Sequence, residues 1–264
     1  MNQDSFFYIG KTHNICQDYA IHDKDYAIVS DGCSGSPHTD FGSRFLALGA
    51  RHAVSLDLDA MQMAKLALVS AVEFGKAADL PSNHLDATLA VVRRRNNSIN
   101  AFLAGDGIIA ARDKSGAIIV KEITFVGGAP IYLNYLNHEL RLETLHKTFD
   151  CTKMIKTTII YKDGEEESEE KSLNMIESFD FDVAEYDYVA VMTDGVASFQ
   201  RLVATPTSKT YEMIKTSEIV KQLMAIKGNV GSFVERRCKA FQRDCLRDGI
   251  IHADDFSVGM IHTG

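Results

Sequence analysis

The sequence predicts an α+β fold, a four-layer αββα sandwich of two mainly antiparallel sheets with a pair of helices on each outer face. Strand-like and helix-like segments occur in blocks along the chain: strands, a helix pair, strands, a second helix pair and a final strand. Segregated blocks of this kind favour sheets that pack together under outer helices. No repeat or linker interrupts the chain, so we expect one domain over residues 1–264.

The first half of the chain predicts two strand regions and then the first helix pair. Residues 5–9 and 19–30 have strand character. Thr39 and Asp40 offer an N-cap for a helix over 41–56, and a very apolar second helix is predicted over 59–77. The pattern then changes to four consecutive antiparallel strands joined by short polar turns, at 88–95, 98–104, 107–112 and 117–125.

The second half is less regular. A hairpin is predicted from strands at 157–162 and 172–177, around an acidic run from Asp163 to Glu170 that we interpret as a solvated loop tip. The remaining predicted elements are a strand at 188–193, helices at 211–226 and 229–247, and a final strand at 255–261.

Composition and charge exclude several function classes. The chain is 45% hydrophobic and 24% charged, which is typical of a globular protein, and a net charge of −8 argues against a nucleic-acid-binding surface. The five cysteines are widely spaced without a CxxC pair, so they predict reduced thiols rather than a zinc site or disulfides. Residues 1–14 have neither the basic nor the apolar segment that a signal peptide needs, so none is expected, and no apolar run approaches membrane-spanning length. We therefore expect a cytoplasmic protein with no nucleic-acid or membrane partner. We also expect a monomer.

Four short patches that contain aspartate predict the chemistry. They read Gln17-Asp18, Asp31-Gly32, Asp194-Gly195 and Asp254-Asp255. Each Asp-Gly pair alone is more typical of a turn than of a ligand, but all four patches adjoin strand-like segments. Buried carboxylates are costly unless their charge is offset, and hard cations such as Mg and Mn bind carboxylate and carbonyl oxygens. The set predicts a centre for one or two divalent cations.

The order of the motifs is more specific than any one of them. The motifs are Gly10 to Asp18, Ala27 to Gly32, Asp86 to Ala90, Phe102 to Gly107, Val191 to Gly195 and Asp254 to Ser257. This ordered set resembles the metal-dependent protein phosphatases (PPM), the type 2C protein serine/threonine phosphatases, in a short, bacterial-like form. The resemblance covers nearly the whole chain and implies a β-sandwich flanked by helix pairs, in agreement with the fold predicted above.

The resemblance also implies an activity and a site. The activity is hydrolysis of phosphoserine or phosphothreonine in a phosphoprotein substrate, by a bridging water that two cations, Mn or Mg, activate. The implied catalytic residues are Asp18, Asp31 and Asp194, and the implied metal ligands are Asp31, the Gly32 carbonyl, Asp194, Asp254 and, at a weaker third site, Asp106. In this scheme Asp31 bridges the two cations, and Asp18 acts mostly through metal-bound water.

Four residues in or beside these motifs depart from the family pattern. His13 stands where an arginine usually binds the substrate phosphate, so we expect weaker or pH-dependent phosphate binding. Cys33 follows the first Asp-Gly pair, where many eukaryotic members have histidine, and Gly107-Ile108 replaces the usual Ser-Arg. Two alternative functions therefore stay open. One is a catalytically weak or inactive phosphatase-fold protein with a binding or regulatory role, and the other is a phosphoesterase for small molecules.

Overall fold

The computed structural model describes residues 2–56, 58–128, 130–161, 164–204 and 209–264. The strands are β1 (Asn2–Tyr8), β2 (Tyr19–Asp23), β3 (Tyr26–Ser30), β4 (Leu89–Arg95), β5 (Ser98–Ala104), β6 (Gly107–Asp113), β7 (Ile118–Phe125), β8 (Ile155–Ile160), β9 (Glu166–Lys171), β10 (Glu177–Asp182), β11 (Tyr186–Met192), β12 (Phe199–Ala204), β13 (Lys209–Met213), β14 (Ile250–His252) and β15 (Phe256–His262). The α-helices are α1 (Thr39–Val54), α2 (Ala60–Ala77), α3 (Glu139–Thr148), α4 (Thr216–Leu223) and α5 (Phe233–Arg247). Short 3-10 turns lie at Ser82–Leu85, Leu133–Asn137, Cys151–Lys153 and Asp194–Ser198.

Two antiparallel sheets form the centre of the fold. The 7-stranded sheet has the order β1-β15-β11-β6-β7-β8-β9, and the 5-stranded sheet has the order β10-β5-β4-β3-β2. Apolar side chains such as Val29 and Val191 pack between the sheets. Helices α1 and α2 cover the outer face of the smaller sheet through residues such as Leu46, and α4 and α5 cover the larger sheet through residues such as Phe241. The predicted αββα sandwich is confirmed. A 3-stranded sheet, β13-β12-β14, was not predicted.

The strand pairing brings the aspartate patches to one end of the sandwich. Tyr19, the first residue of β2, pairs with Ser30, the last residue of β3. Met192, at the end of β11, pairs with Val258, near the start of β15. Because β15 also packs across β3, the segments that flank these strand ends meet at the same edge of both sheets.

The middle of the chain forms a hairpin, but its second strand is β9, which pairs with β8 and lies earlier in the chain than the predicted strand at 172–177. Most of the acidic run belongs to β9, an exposed edge strand that pairs with β8, and β10 pairs with β5 in the other sheet. Both faces of an edge strand can meet water, and charged side chains are common there because they discourage pairing with other chains. Lys162 and Asp163, which belonged to the predicted hairpin, lie outside the described residues.

The second helix pair is shorter than predicted. The first part of the predicted helix at 211–226 is instead strand β13, which pairs with β12, and α4 begins at Thr216. The helix predicted from residue 229 begins at Phe233, because Gly231 has a φ of 62°, a left-handed conformation that glycine adopts readily and a helix does not use. Helix α3 lies in a stretch for which no helix was predicted.

Two expectations from composition can be compared with the structure. All five cysteines are free thiols, as predicted, and Cys238 and Cys245 lie on the side of α5 that packs into the core. In the part of the chain that the structure describes, no helix is long and apolar enough to cross a membrane.

Candidate metal centre

Five carboxylates from separate parts of the chain gather at this end of the sandwich. Asp18 precedes β2, Asp31 follows β3, Asp106 follows β5, Asp194 begins the turn after β11, and Asp254 precedes β15. Their negative charges repel one another. The charges of Asp18, Asp194 and Asp254 raise the pKa of Asp31, and the charge of Asp106 raises the pKa of Asp194. The structure thus brings together all the aspartates that the sequence assigned to the site.

Burial and mutual repulsion raise the pKa values of these carboxyl groups. Burial is the main cause of a pKa of about 7 for Asp18 and of about 6 for Asp106. The pKa values of Asp31 and Asp194 lie well above the usual range, through burial first and neighbouring carboxylates second. Burial also raises the pKa of Asp254. A cluster of this kind destabilises the fold at neutral pH unless cations offset its charge.

Asp18 is the most deeply buried member of the cluster. Its Oδ2 accepts a hydrogen bond of 2.7 Å from Thr193 Oγ1, and Thr193 Oγ1 accepts one of 2.9 Å from the backbone N–H of Ser257. Among the described residues, no partner hydrogen-bonds the buried Oδ1. An unpaired carboxylate oxygen beside other carboxylates fits a cation with oxygen ligands, bound directly or through water.

The loop that carries Asp31 and Gly32 is held by the segment just before β4. Thr88 N donates to the Asp31 carbonyl at 2.8 Å, and Asp31 N donates to Thr88 Oγ1 at 3.1 Å. Gly32 forms an isolated antiparallel bridge with Ala87. A Cβ on Gly32 would lie 2.5 Å from the Thr39 carbonyl oxygen, so glycine is required for this close approach.

Asp106 lies in the tight turn between β5 and β6. Gly105 and Gly107 on either side have φ angles of 95° and 141°, which L residues rarely adopt. A Cβ on Gly107 would also lie 2.7 Å from the Met192 carbonyl oxygen. The departure from the serine of the family motif therefore has a local reason, since a side chain would not fit here.

His13 lies at the edge of the cluster. Its Nδ1 is 2.9 Å from Asp255 Oδ2 and its Nε2 is 3.4 Å from Asp254 Oδ1. Both are ion-pair distances, but the alignment at Nδ1 does not meet the geometry of a hydrogen bond. Burial lowers the pKa of His13, but Asp255 and the neighbouring aspartates outweigh burial and raise it. Asp255 also accepts backbone N–H bonds of 2.6 Å from Gly10 and Gln17, so it fixes the His13 loop against the start of β15.

The family can be assigned by comparison with known proteins. The sequence model described as protein phosphatase 2C matches residues 9–228. The chain belongs to the protein phosphatase 2C family. The match includes His13, Asp18, Asp31, Asp106 and Asp194, and it confirms the resemblance seen in the sequence. Asp254 lies beyond the matched range, and its place in the cluster comes from the structure.

Solved structures of bacterial phosphatases share the fold. A bacterial serine phosphatase has a TM-score of 0.57 at 13% identity, with 100% of this chain and 98% of that chain covered. The serine/threonine phosphatase Stp1 from Staphylococcus aureus has a TM-score of 0.57 at 13% identity, with 99% of this chain and 95% of that chain covered. The serine/threonine phosphatase PstP/Ppp from Mycobacterium tuberculosis has a TM-score of 0.52 at 12% identity, with 98% of this chain and 96% of that chain covered. Comparison with curated protein sequences gave no significant match.

Two further residues at this protein phosphatase 2C site, Tyr132 and Thr193, were given no role in the sequence analysis. Burial, contact with Cys33 and the charges of Asp106 and Asp31 raise the pKa of Tyr132, so its hydroxyl stays protonated beside the cluster. Tyr132 lies in an irregular stretch in which nothing in the sequence marks it. Thr193 directly precedes Asp194, and this adjacency is the one sequence signal that it had.

The acidic cluster is not a completed coordination shell. Within the described ranges, no three His, Cys, Asp or Glu side chains surround one point in the arrangement of a formed metal centre. The fit to a cation therefore rests on the shared negative charge of the cluster and on the unpaired oxygen of Asp18.

Proposed function

We propose that this member of the protein phosphatase 2C family is a metal-dependent phosphatase that hydrolyses phosphoserine and phosphothreonine in proteins. The observation that supports the proposal most is the buried cluster of five carboxylates with raised pKa values. A protein that used the fold only to bind a partner would gain nothing from mutually repelling buried charges. Such a cluster is useful where cations complete it.

We propose that the cluster holds two divalent cations, Mn or Mg. The proposed ligands are Asp31, the Gly32 carbonyl, Asp194, Asp254 and, at a weaker third site, Asp106. When bound, such cations lower the pKa of water and offset the charge of the phosphoryl oxygens. Oxygen ligands suit both metals, and every proposed side-chain ligand belongs to the cluster.

The side chains of this protein mainly position groups and balance charge. Thr193 holds one oxygen of Asp18 in place, which leaves the other oxygen for a cation or a water molecule. We propose that His13 contacts the phosphoryl group of the substrate from the edge of the cluster. An imidazole lacks the two-pronged geometry and permanent charge of an arginine, so we expect this contact to be weak.

Phosphate release from a phosphothreonine peptide tests the proposal, measured with Mn, with Mg and with a chelator. Asp194→Asn is the matched variant, because it keeps the shape of the side chain and removes its charge. Turnover that requires metal and is lost in the variant is the expected result. Metal binding without turnover would contradict the proposal and support the binding or regulatory alternative. Faster turnover of a nucleotide or sugar phosphate than of the peptide would indicate a small-molecule phosphoesterase.

The organisation of the protein stays a prediction from its sequence. We propose that residues 1–264 form a single catalytic domain, since no linker interrupts the sequence. We also propose that it acts as a cytoplasmic monomer on phosphoprotein substrates. Gel filtration with light scattering would test the oligomeric state, and a mass of a dimer would contradict it.

A further inference from the structure

Asp86 is a buried carboxylate next to the proposed centre but outside the cluster. It accepts hydrogen bonds from both terminal nitrogens of the Arg141 guanidinium at 2.8 and 3.0 Å, from Asn134 Nδ2 at 2.9 Å and from Ser36 Oγ at 2.9 Å. Burial raises the pKa of Asp86, but these donors and the charge of Arg141 outweigh burial and lower it. The carboxylate is therefore ionised and fully engaged at neutral pH.

The backbone at Asp86 holds the loop that carries two proposed metal ligands. The Asp86 carbonyl accepts a hydrogen bond of 2.9 Å from Cys33 N, and the next residue, Ala87, pairs with Gly32. Because side chain and backbone belong to the same residue, the donors that fix the Asp86 carboxylate also restrict the loop from Asp31 to Cys33.

The main donor to Asp86 comes from a helix with few other attachments. Leu145 is the one buried side chain of α3, and Leu140 is 74% exposed. Arg141 stacks on the Tyr135 ring at 4.0 Å and reaches from α3 to Asp86. The two-pronged ion pair is thus the strong polar contact between α3 and the segment before β4 that holds the loop from Asp31 to Cys33.

We propose that Arg141 is a positioning residue for the metal centre, and that it acts through Asp86. The ion pair holds the loop from Asp31 to Cys33 in the conformation that binds the cation. The inference rests on the proposed function, because it assumes that Asp31 and Gly32 are metal ligands. Removal of a residue that orients metal ligands without binding the metal itself typically lowers metal affinity by about 10–100-fold. Since Arg141 acts through Asp86 and the backbone, the expected effect is about tenfold.

Calorimetric titration of the metal-free protein with Mn tests the inference. Arg141→Gln is expected to raise the Kd for Mn about tenfold, with kcat at saturating Mn within about twofold of wild type. General damage to the fold would not weaken Mn binding while leaving kcat at saturating Mn almost unchanged. Arg141→Lys keeps the charge without the two-pronged geometry, so its Kd for Mn is expected to lie between those of wild type and Arg141→Gln. Arg247→Gln is the control, because Arg247 pairs with Asp244 and Asp248 on an exposed part of α5.

Hydrogen exchange of the Cys33 amide gives a readout that needs neither metal nor turnover. Exchange in metal-free Arg141→Gln is expected to be about tenfold faster than in wild type, because the bond from this amide to the Asp86 carbonyl opens more often. Wild-type exchange and wild-type Mn affinity in the variant would overturn the inference. A wild-type protein that binds no Mn would overturn the proposed function, whereas the exchange rate would still decide whether Arg141 holds the loop. If Arg141→Gln does not fold, Arg141→Lys provides both measurements.

Discussion

The hydroxyl of Thr193 donates a hydrogen bond of 2.7 Å to Asp18 and so joins the end of β11 to the start of β2. The backbone N–H of Ser257 donates to the same hydroxyl at 2.9 Å, which fixes the direction in which the hydroxyl donates. Two strands of the 7-stranded sheet therefore orient the most deeply buried carboxylate of the cluster, which adjoins β2 of the 5-stranded sheet.

Thr193→Val is expected to weaken Mn binding about tenfold, because it removes a hydrogen bond that orients Asp18 at almost constant side-chain volume. It should also lower the free energy of unfolding by about 1–3 kcal/mol, since a buried acceptor loses its donor. Calorimetry and thermal unfolding measure the two effects. Thr193→Ser keeps the hydroxyl and should stay close to wild type. Wild-type Mn affinity in Thr193→Val would show that this bond does not orient Asp18.

Asp31→Asn is expected to stabilise the metal-free protein while it abolishes phosphatase activity. The Asp31 carboxylate is repelled by Asp18, Asp194 and Asp254, and an amide of the same shape removes this repulsion. We expect a gain of about 0.5–2 kcal/mol in the free energy of unfolding, in line with the common trade-off between stability and function at active sites. Thermal unfolding in chelator measures the gain, and a lower melting temperature than wild type would contradict it. Asp40→Asn, on the first turn of α1, is the control.

His13→Ala tests the proposed contact with the substrate phosphate. We expect KM for the phosphothreonine peptide to rise about 2–10-fold with little change in kcat, which is the pattern for loss of a binding contact that is equal in ground and transition states. Steady-state kinetics at saturating Mn measures both constants. His52→Ala, an exposed position on α1, should leave them unchanged. An unchanged KM in His13→Ala would remove His13 from the substrate site.

The sequence predicts the features of this protein that depend on local pattern. Asp31 and Asp194 each directly follow an apolar strand, so the sequence marks both as carboxylates at strand ends. Their convergence depends on how the two sheets pack, because β3 and β11 belong to different sheets. The edge strand β9 could not be predicted in this way, because all six of its residues are Glu, Ser or Lys and its conformation comes from pairing with β8. Local propensity gives way to tertiary context at such positions.

The residues that support the site were harder to predict because their partners are distant in the chain. Arg141 and Asp86 are 55 residues apart, and no spacing rule relates a residue in α3 to one before β4. Asp255 was seen in the sequence beside Asp254, but its role depends on backbone groups 238 and 245 residues away. Sequence pattern could predict the carboxylates of the cluster, whereas their supports require the fold.

The Asp86–Arg141 pair predicts how stability responds to acid. The pKa of Asp86 is lowered in the folded protein, so the unfolded chain binds a proton there more readily than the folded chain does. The pair therefore stabilises the fold above the unfolded-state pKa of about 3.9, and this contribution is lost as the pH falls through the lower folded-state pKa. In urea unfolding, Asp86→Asn should be less stable than wild type by about 1–3 kcal/mol at pH 7, with a smaller difference at pH 3. An equal difference at both pH values would contradict this account.

Asp4 of β1 caps the start of α5 from a distant part of the chain. Its Oδ2 accepts hydrogen bonds from Val234 N at 2.6 Å and Glu235 N at 3.1 Å, whereas the local capping position, Ser232, makes no side-chain cap. Asp4→Ala should therefore lower the free energy of unfolding by about 1–2 kcal/mol. Part of this loss comes from the negative charge at the helix N-terminus.

Asp4→Asn separates these two contributions, because an amide oxygen still accepts the backbone bonds but carries no charge. It should lose less stability than Asp4→Ala in thermal unfolding. Mn affinity should stay at the wild-type value in both variants, since Asp4 pairs with Met260, toward the end of β15 that is opposite Asp254. Equal stability of Asp4→Ala and wild type would show that water replaces the cap, and a change in Mn affinity would show that α5 is coupled to the centre.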